Sequence, residues 1–166
     1  MFNHHSGSPV CVNVSGVDEY TAPSISYLGI TLDDTFSFER HVINICRLSF
    51  AHLHSLYRIR RYLSEPVVLS FANAFDLSRL DYCNSILSFC NSRTICRLQR
   101  IQNCLVRLVK NLPRRCPTST AIKGFGWLRV TDRISFKICC FVHRQRAMPC
   151  PIDTTGRISS LSLIHI

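Results

Sequence analysis

Apolar side chains recur every three or four residues along two long stretches of the chain and alternate with polar ones only near its start. Phe38, Val42, Ile45, Ser49, Leu53 and Leu56 form one series, and Leu98, Ile101, Leu105 and Leu108 form another. Such spacing puts side chains on one face of a 3.6-residue helix. The pattern therefore predicts a helix that starts near Ser37 and ends in Arg58-Ile59-Arg60-Arg61-Tyr62-Leu63, and a second from about Ser92 to Lys110. Ser37 is the expected N-cap of the first, with Glu39 where the helix dipole favours an acid. Ser64-Glu65-Pro66 predicts another start, because a proline in the first turn loses no hydrogen bond there. That helix is expected to bury Val67, Phe71, Ala74, Phe75 and Ser78, then to kink over the run from Ser78 to Ser85 and give way to a turn-rich segment through Asn91-Ser92. Thr118 to Ala121 predicts a short helix closed by Gly124 and Gly126, with Trp127-Leu128 anchoring the loop on the core. Thr131-Asp132 opens a last long helix with Ile134, Ile138, Phe141 and Val142 inside, ended by Pro149 and Pro151.

The start of the chain reads differently. Val10-Cys11-Val12-Asn13-Val14 and the run from Ser24 to Leu32 are rich in β-formers, and the second begins with clear alternation, so each reads as a strand. Paired with each other they make a hairpin. Two strands alone are marginal in water and need a surface to pack on, which points to a larger body. Asp33-Asp34-Thr35 is turn chemistry. The expected fold is mainly α (α+β): an N-terminal β-hairpin, then about four helices. No internal repeat is visible, and the tail from Ile152 to Ile166 has no period.

Composition narrows the partners. The chain of 166 residues holds 20 Lys and Arg against 10 acids, a formal charge of +10. The excess is uneven: between Cys83 and Cys150 there are 13 Lys and Arg, and Asp132 is the only acid. A cationic half attached to a balanced one favours an anionic partner, nucleic acid or an anionic membrane surface. No run reaches the roughly 18 apolar residues of a membrane span, and Met1-Phe2-Asn3-His4-His5-Ser6-Gly7 lacks the layout of a secretory signal. An intracellular location, cytoplasmic or nuclear, is expected, with the ten cysteines reduced.

Four stretches, taken in order, resemble LINE-type (non-LTR) retrotransposon reverse transcriptases. They are Tyr27-Leu28-Gly29-Ile30-Thr31-Leu32-Asp33 with Phe36-Ser37-Phe38 and His41; Ser78-Arg79-Leu80-Asp81-Tyr82-Cys83-Asn84-Ser85-Ile86-Leu87; Arg97-Leu98-Gln99-Arg100-Ile101-Gln102-Asn103 with Arg107-Leu108; and Trp127-Leu128 with Arg133-Ile134 and Phe136-Lys137-Ile138. The resemblance covers roughly residues 10 to 147. It implies the end of a palm over 1–33 and a helical thumb-like domain over 34–148; after Met148 the family pattern fades, and 149–166 reads as an unstructured tail. It implies that Tyr27, Leu28 and Gly29 lie in the region supporting the primer end. Gly29 there either admits a closely approaching backbone or primer, or marks a bend. It further implies an RNA/DNA template–primer duplex as partner, together with the palm and fingers of the parent polymerase, and no membrane.

The family's metal-holding carboxylates, including an aromatic-x-Asp-Asp turn, stand upstream of the Tyr-Leu-Gly segment. Asp33-Asp34 follows that segment and lacks the aromatic, so it reads as an acidic turn and no catalytic residue is assigned. The complete enzyme would be expected to use Mg; no cofactor is expected for this stretch. The basic stripe Arg93, Arg97, Arg100, Arg107 and Lys110, continued by Arg114 and Arg115, is the candidate nucleic-acid surface, because guanidinium forks track phosphates without choosing sequence. Arg58, Arg60 and Arg61 form a smaller candidate patch. Zinc finds only Cys140-Phe141-Val142-His143, without a second pair, so Cys140 reads as helix packing. Cys46 and Cys104, among arginines, are candidates for lowered thiol pKa values, but nothing marks an oxyanion hole. His52 and His54 read as partly exposed helix residues. Two other function classes suit the same residues: a free-standing basic helical nucleic-acid-binding protein, and a non-functional translated remnant of a decayed element.

Overall fold

The computed structural model describes residues 11–14, 17–20, 22 and 24–147. Pro149, Pro151 and the tail over 149–166 lie outside the described residues. The chain is mainly helical, with β-structure at its N-terminal end and a succession of helices after it.

The strands differ from the expected pairing. β1 (Cys11–Val14) pairs antiparallel with β2 (Val17–Tyr20), and β3 (Ser24–Tyr27) pairs with β4 (Ile30–Asp33). The run from Ser24 to Leu32 is therefore not one strand. It turns at Leu28 and Gly29, whose φ angles are 48° and 77°. Two-residue hairpin loops match strand twist when both central residues have positive φ. Glycine reaches that region freely, whereas leucine enters it at a cost. A Cβ on Gly29 would meet the Tyr82 ring at an ordinary 3.7 Å. The reason for glycine here is backbone conformation, not close approach of another group.

α1 (Glu39–Ile59) buries the expected face: Val42, Ile45, Ser49, Leu53 and Leu56, with Phe38 just ahead of it. Its start is built differently from the prediction. Phe38, not Ser37, is the N-cap residue, with φ 55°. The carboxylate of Asp33 organises the turn, accepting from the Phe38 N–H at 3.1 Å, the Thr35 hydroxyl at 3.1 Å and the Ser37 hydroxyl. Burial acts to raise the Asp33 pKa, but those hydrogen bonds together hold the carboxyl below its ordinary value.

After a 3₁₀ turn at Arg60–Tyr62, α2 (Glu65–Phe71) continues through a π-helical segment, Ala72–Leu77, into α3 (Ser78–Asp81). The buried face is Val68, Ala72, Asp76, Leu77 and Leu80, while Val67, Phe71 and Phe75 are 42, 37 and 48% exposed. The expected face was thus one residue, about 100° of rotation, out of register. The wider π turn keeps residues four apart, 68, 72 and 76, on the inward side.

A 3₁₀ segment, Asn84–Phe89, leads to α4 (Ser92–Lys110), the central helix of the core. Asn91 caps it by accepting from the Thr94 N–H at 2.8 Å. Asn111 ends it in the left-handed conformation, φ 52°, with the Leu112 N–H reaching back to the Arg107 carbonyl at 2.9 Å. Leu98, Ile101, Leu105, Val106, Leu108 and Val109 are essentially inaccessible. Then come α5 (Ser119–Gly124), the Trp127 anchor and α6 (Val130–Ala147). Ile134 is buried and Ile138 packs against the core, but Phe141 and Val142, expected inside, are exposed. Cys140 is likewise exposed and not packed.

His41, at the start of α1, is buried and accepts the Thr31 N–H through Nδ1 at 3.4 Å, which fastens β4 to the helix. Burial lowers its pKa from the ordinary 6.5. The unfolded chain therefore takes up a proton at a higher pH than the folded one. Stability is full above 6.5 and declines as pH falls through that value towards the lower folded one. Denaturant titrations at about pH 7.5 and about pH 5.5 should show this loss, and His41→Asn, which keeps an acceptor but cannot be protonated, should remove part of the slope.

Candidate nucleic-acid interface

On α4 the apolar stripe faces the core, and the arginines, at spacings of three, four and seven, form a second stripe roughly a quarter to a third of a turn away. The structure divides them by what they touch. Arg93 and Arg100 are exposed and have no hydrogen bond or ion pair among the described residues. Arg97 pairs with Glu39 of α1 at 3.0 Å, and Lys110 pairs with Glu65 of α2 while standing 5.1 Å above the Phe125 ring. Exposed pairs of this kind are worth only about 0–1 kcal/mol, so either cation can exchange its carboxylate for a phosphate.

Arg107 is partly buried and donates from Nε and Nη2 to the Cys116 carbonyl at 3.4 and 3.3 Å. This draws the 111–117 loop back alongside α4. Arg114 and Arg115, just before Cys116 in the same loop, are exposed and unpaired among the described residues. The ridge available to a ligand is therefore Arg93, Arg100, Arg114 and Arg115, with Arg97 and Lys110 beside it.

Of the smaller patch, Arg60 has a structural partner set. Its Nε and Nη2 donate to the Leu108 and Val109 carbonyls, and its Nη1 to the Leu63 carbonyl, all at 2.8 Å. A cation at the C-terminal carbonyls of α4 also suits the helix dipole. Arg61 lies over the Tyr62 ring at 4.6 Å.

Tyr27, Leu28 and Gly29 form the tip of the β3–β4 hairpin, with the Tyr27 and Leu28 side chains exposed. The Tyr82 hydroxyl donates to the Leu28 carbonyl at 2.6 Å and holds the tip against the helices. Further long-range bonds tie the other stretches together. Asp81 pairs with Arg133. Gln102, fully buried, donates to the Leu128 carbonyl at 2.7 Å, and Gln99 accepts the Val130 N–H at 3.1 Å.

The remaining candidates resolve as follows. Burial pushes the Cys46 thiol up, and the Arg97 guanidinium offsets only part of this, contrary to the expected lowering. His52 binds the fully buried Asp76 through Nδ1 at 2.7 Å, and His54 is exposed. Asp33 is engaged by its own turn. Among the described residues no group of three or more His, Cys, Asp or Glu is placed to hold a metal ion, and no helix is long and apolar enough to cross a membrane. Sequence reasoning missed Arg47 of α1 and Arg79 of α3, which line a concavity beneath the hairpin tip. Both stand apart from any basic run; Arg79 lies in the second of the four resembling stretches, but nothing there marks it as a surface cation.

In comparison with known proteins, no family model, no curated protein and no solved structure matches the chain.

Proposed function

We propose that the chain is a template–primer-binding portion of an RNA-directed DNA polymerase of the LINE type, gripping a nucleic-acid duplex without polymerising by itself. The observation that carries this is the ridge of exposed guanidinium groups along α4 and its following loop, unpaired among the described residues, on a face where Glu39 and Glu65 are already engaged. Glu39, Glu65 and Asp81 each have a cationic partner, so the surplus charge is left to an outside anion. Two further features support the polymerase reading. The stretches that resemble the family are far apart in the chain yet bond to one another, Leu28 to Tyr82, Asp81 to Arg133, and Gln102 to Leu128. The β3–β4 hairpin leaves Ile25, Tyr27 and Leu28 at 61, 62 and 70% exposure, which favours a part of a larger palm over a free-standing module.

Fluorescence anisotropy with a primer–template duplex, RNA–DNA and DNA–DNA in parallel, tests the reading. Binding is expected to weaken linearly in log–log form with salt, by about 0.9 per neutralised phosphate. A salt-independent signal, or no binding at low salt, overturns it. Primer extension with the chain alone should give no product. Synthesis abolished by Asp33→Asn with Asp34→Asn would refute the non-catalytic assignment.

A further inference from the structure

Beneath the β3–β4 tip, between α1 and α3, lies a concavity of about 380 Å³ whose wall includes Gly29, His41, Asn44, Arg47, Arg79 and Tyr82. Among the described residues no carboxylate lines it. We propose that it is a binding site for a phosphate-class oxyanion, with Arg47 and Arg79 as its cationic wall.

Arg79 is positioned but not saturated. Its Nη1 stands 4.0 Å from Oδ1 of Asp76, too far for a hydrogen bond, and both atoms are buried without a hydrogen-bond partner among the described residues. Asp76 sits behind the guanidinium, already engaged by His52 at 2.7 Å, and offsets part of the charge without entering the wall. The Arg79 side chain remains 34% exposed, so other donors of its fork are open to a ligand. Arg47 is exposed and has no hydrogen bond or ion pair among the described residues.

Neutral donors complete the set. Because Nδ1 of His41 accepts the Thr31 N–H, the ring proton resides on Nε2 and is free to be donated. The Asn44 amide makes only a 3.4 Å bond to the Thr31 hydroxyl. Two guanidinium groups with neutral N–H donors and no facing acid select an oxyanion, and forked donors suit phosphate oxygens. The site uses none of the side chains of the α4 ridge, so it stands or falls separately from the duplex-binding reading.

Titration of the full chain with inorganic phosphate, at ionic strength matched with sodium chloride, provides the test by calorimetry or amide NMR shifts. Saturable binding with shifts around Gly29, Asn44 and Arg79 is expected. Arg47→Gln, a change at an exposed position, should weaken it about tenfold, the effect of losing one charge-assisted bond. Arg79→Gln should do at least as much. Replacing Arg93 and Arg100 with Ala should leave it unchanged while weakening duplex binding. Competition identifies the source: displacement by a short 5′-phosphorylated oligonucleotide marks a nucleic-acid phosphate, and displacement by a sugar phosphate alone marks a small metabolite. Absence of saturable binding, equal affinity in Arg47→Gln, or a loss shared with the Arg93 and Arg100 variant overturns the site. Loss of duplex binding in the α4 variant with phosphate binding intact leaves both proposals standing. Phosphate binding without any duplex binding by the native chain removes only the first.

Discussion

Under the proposed function, changing Arg93, Arg100, Arg114 and Arg115 together to alanine is expected to lower template–primer affinity by about 100-fold at about 0.1 M salt and to flatten the salt dependence, by about 0.9 in log–log slope for each phosphate no longer neutralised. Stability should hardly move, because these side chains have no partners among the described residues. Exposed substitutions of this kind usually stay within about 0.5 kcal/mol. The comparison that gives the result its meaning is Arg107→Ala. That guanidinium holds the Cys116 carbonyl, so its removal should loosen the 111–117 loop and misplace Arg114 and Arg115 without removing an exposed charge. Duplex anisotropy and urea denaturation on the same variants separate the two effects. If the quadruple variant binds as the native chain does, with the same slope, the ridge is not the interface.

Arg60→Ala has the largest expected effect on stability. One guanidinium satisfies three carbonyls at 2.8 Å, two of them the Leu108 and Val109 carbonyls at the C-terminal end of α4. Those oxygens lie next to the most buried part of the core, so alanine leaves them with poor access to water. A charge-assisted bond contributes about 1.5–3 kcal/mol and its loss can strand the acceptor. Partial exposure of the arginine reduces the sum, and about 2–4 kcal/mol of destabilisation is expected, read as a lower urea midpoint at unchanged slope. Arg60→Lys should recover only part, since an ammonium cannot reproduce the planar fork. A change below about 0.5 kcal/mol for alanine would mean that water replaces the guanidinium freely.

The helical fold was legible where the apolar period was long. Every member of the Phe38 to Leu56 series is buried, and α4 runs from Ser92 to Lys110 as its apolar spacing predicts. Short elements were harder. In α2 the inward face could not be told from its neighbour 100° away, because Val67, Phe71 and Phe75 are as apolar as Val68, Ala72 and Leu77, and the π turn that settles it has no sequence signature. The N-terminal hairpin is as expected, but which strands pair was not legible, because a leucine in the left-handed region, Leu28, gives no warning beyond the glycine beside it.

The candidate interface was legible as charge and not as geometry. Charge surplus, the spacing of Arg93, Arg97, Arg100 and Arg107, and the near absence of acids after Cys83 can be read from the sequence alone. All four arginines look alike there. Only packing distinguishes Arg93 and Arg100, without partners among the described residues, from Arg97 on Glu39 and Arg107 on Cys116.

Sequence by itself determined the class of fold, the two long helices and the sign of the surface, because periodicity and net charge are local or additive properties. Tertiary structure alone decided which cations are tied down, that Arg60 serves the end of a helix 48 residues away, and that Arg47 and Arg79 share one concavity. The physical reason is that a hydrogen bond depends on placement to within a few tenths of an ångström. Residues far apart in the chain acquire that placement only when the helices carrying them have packed.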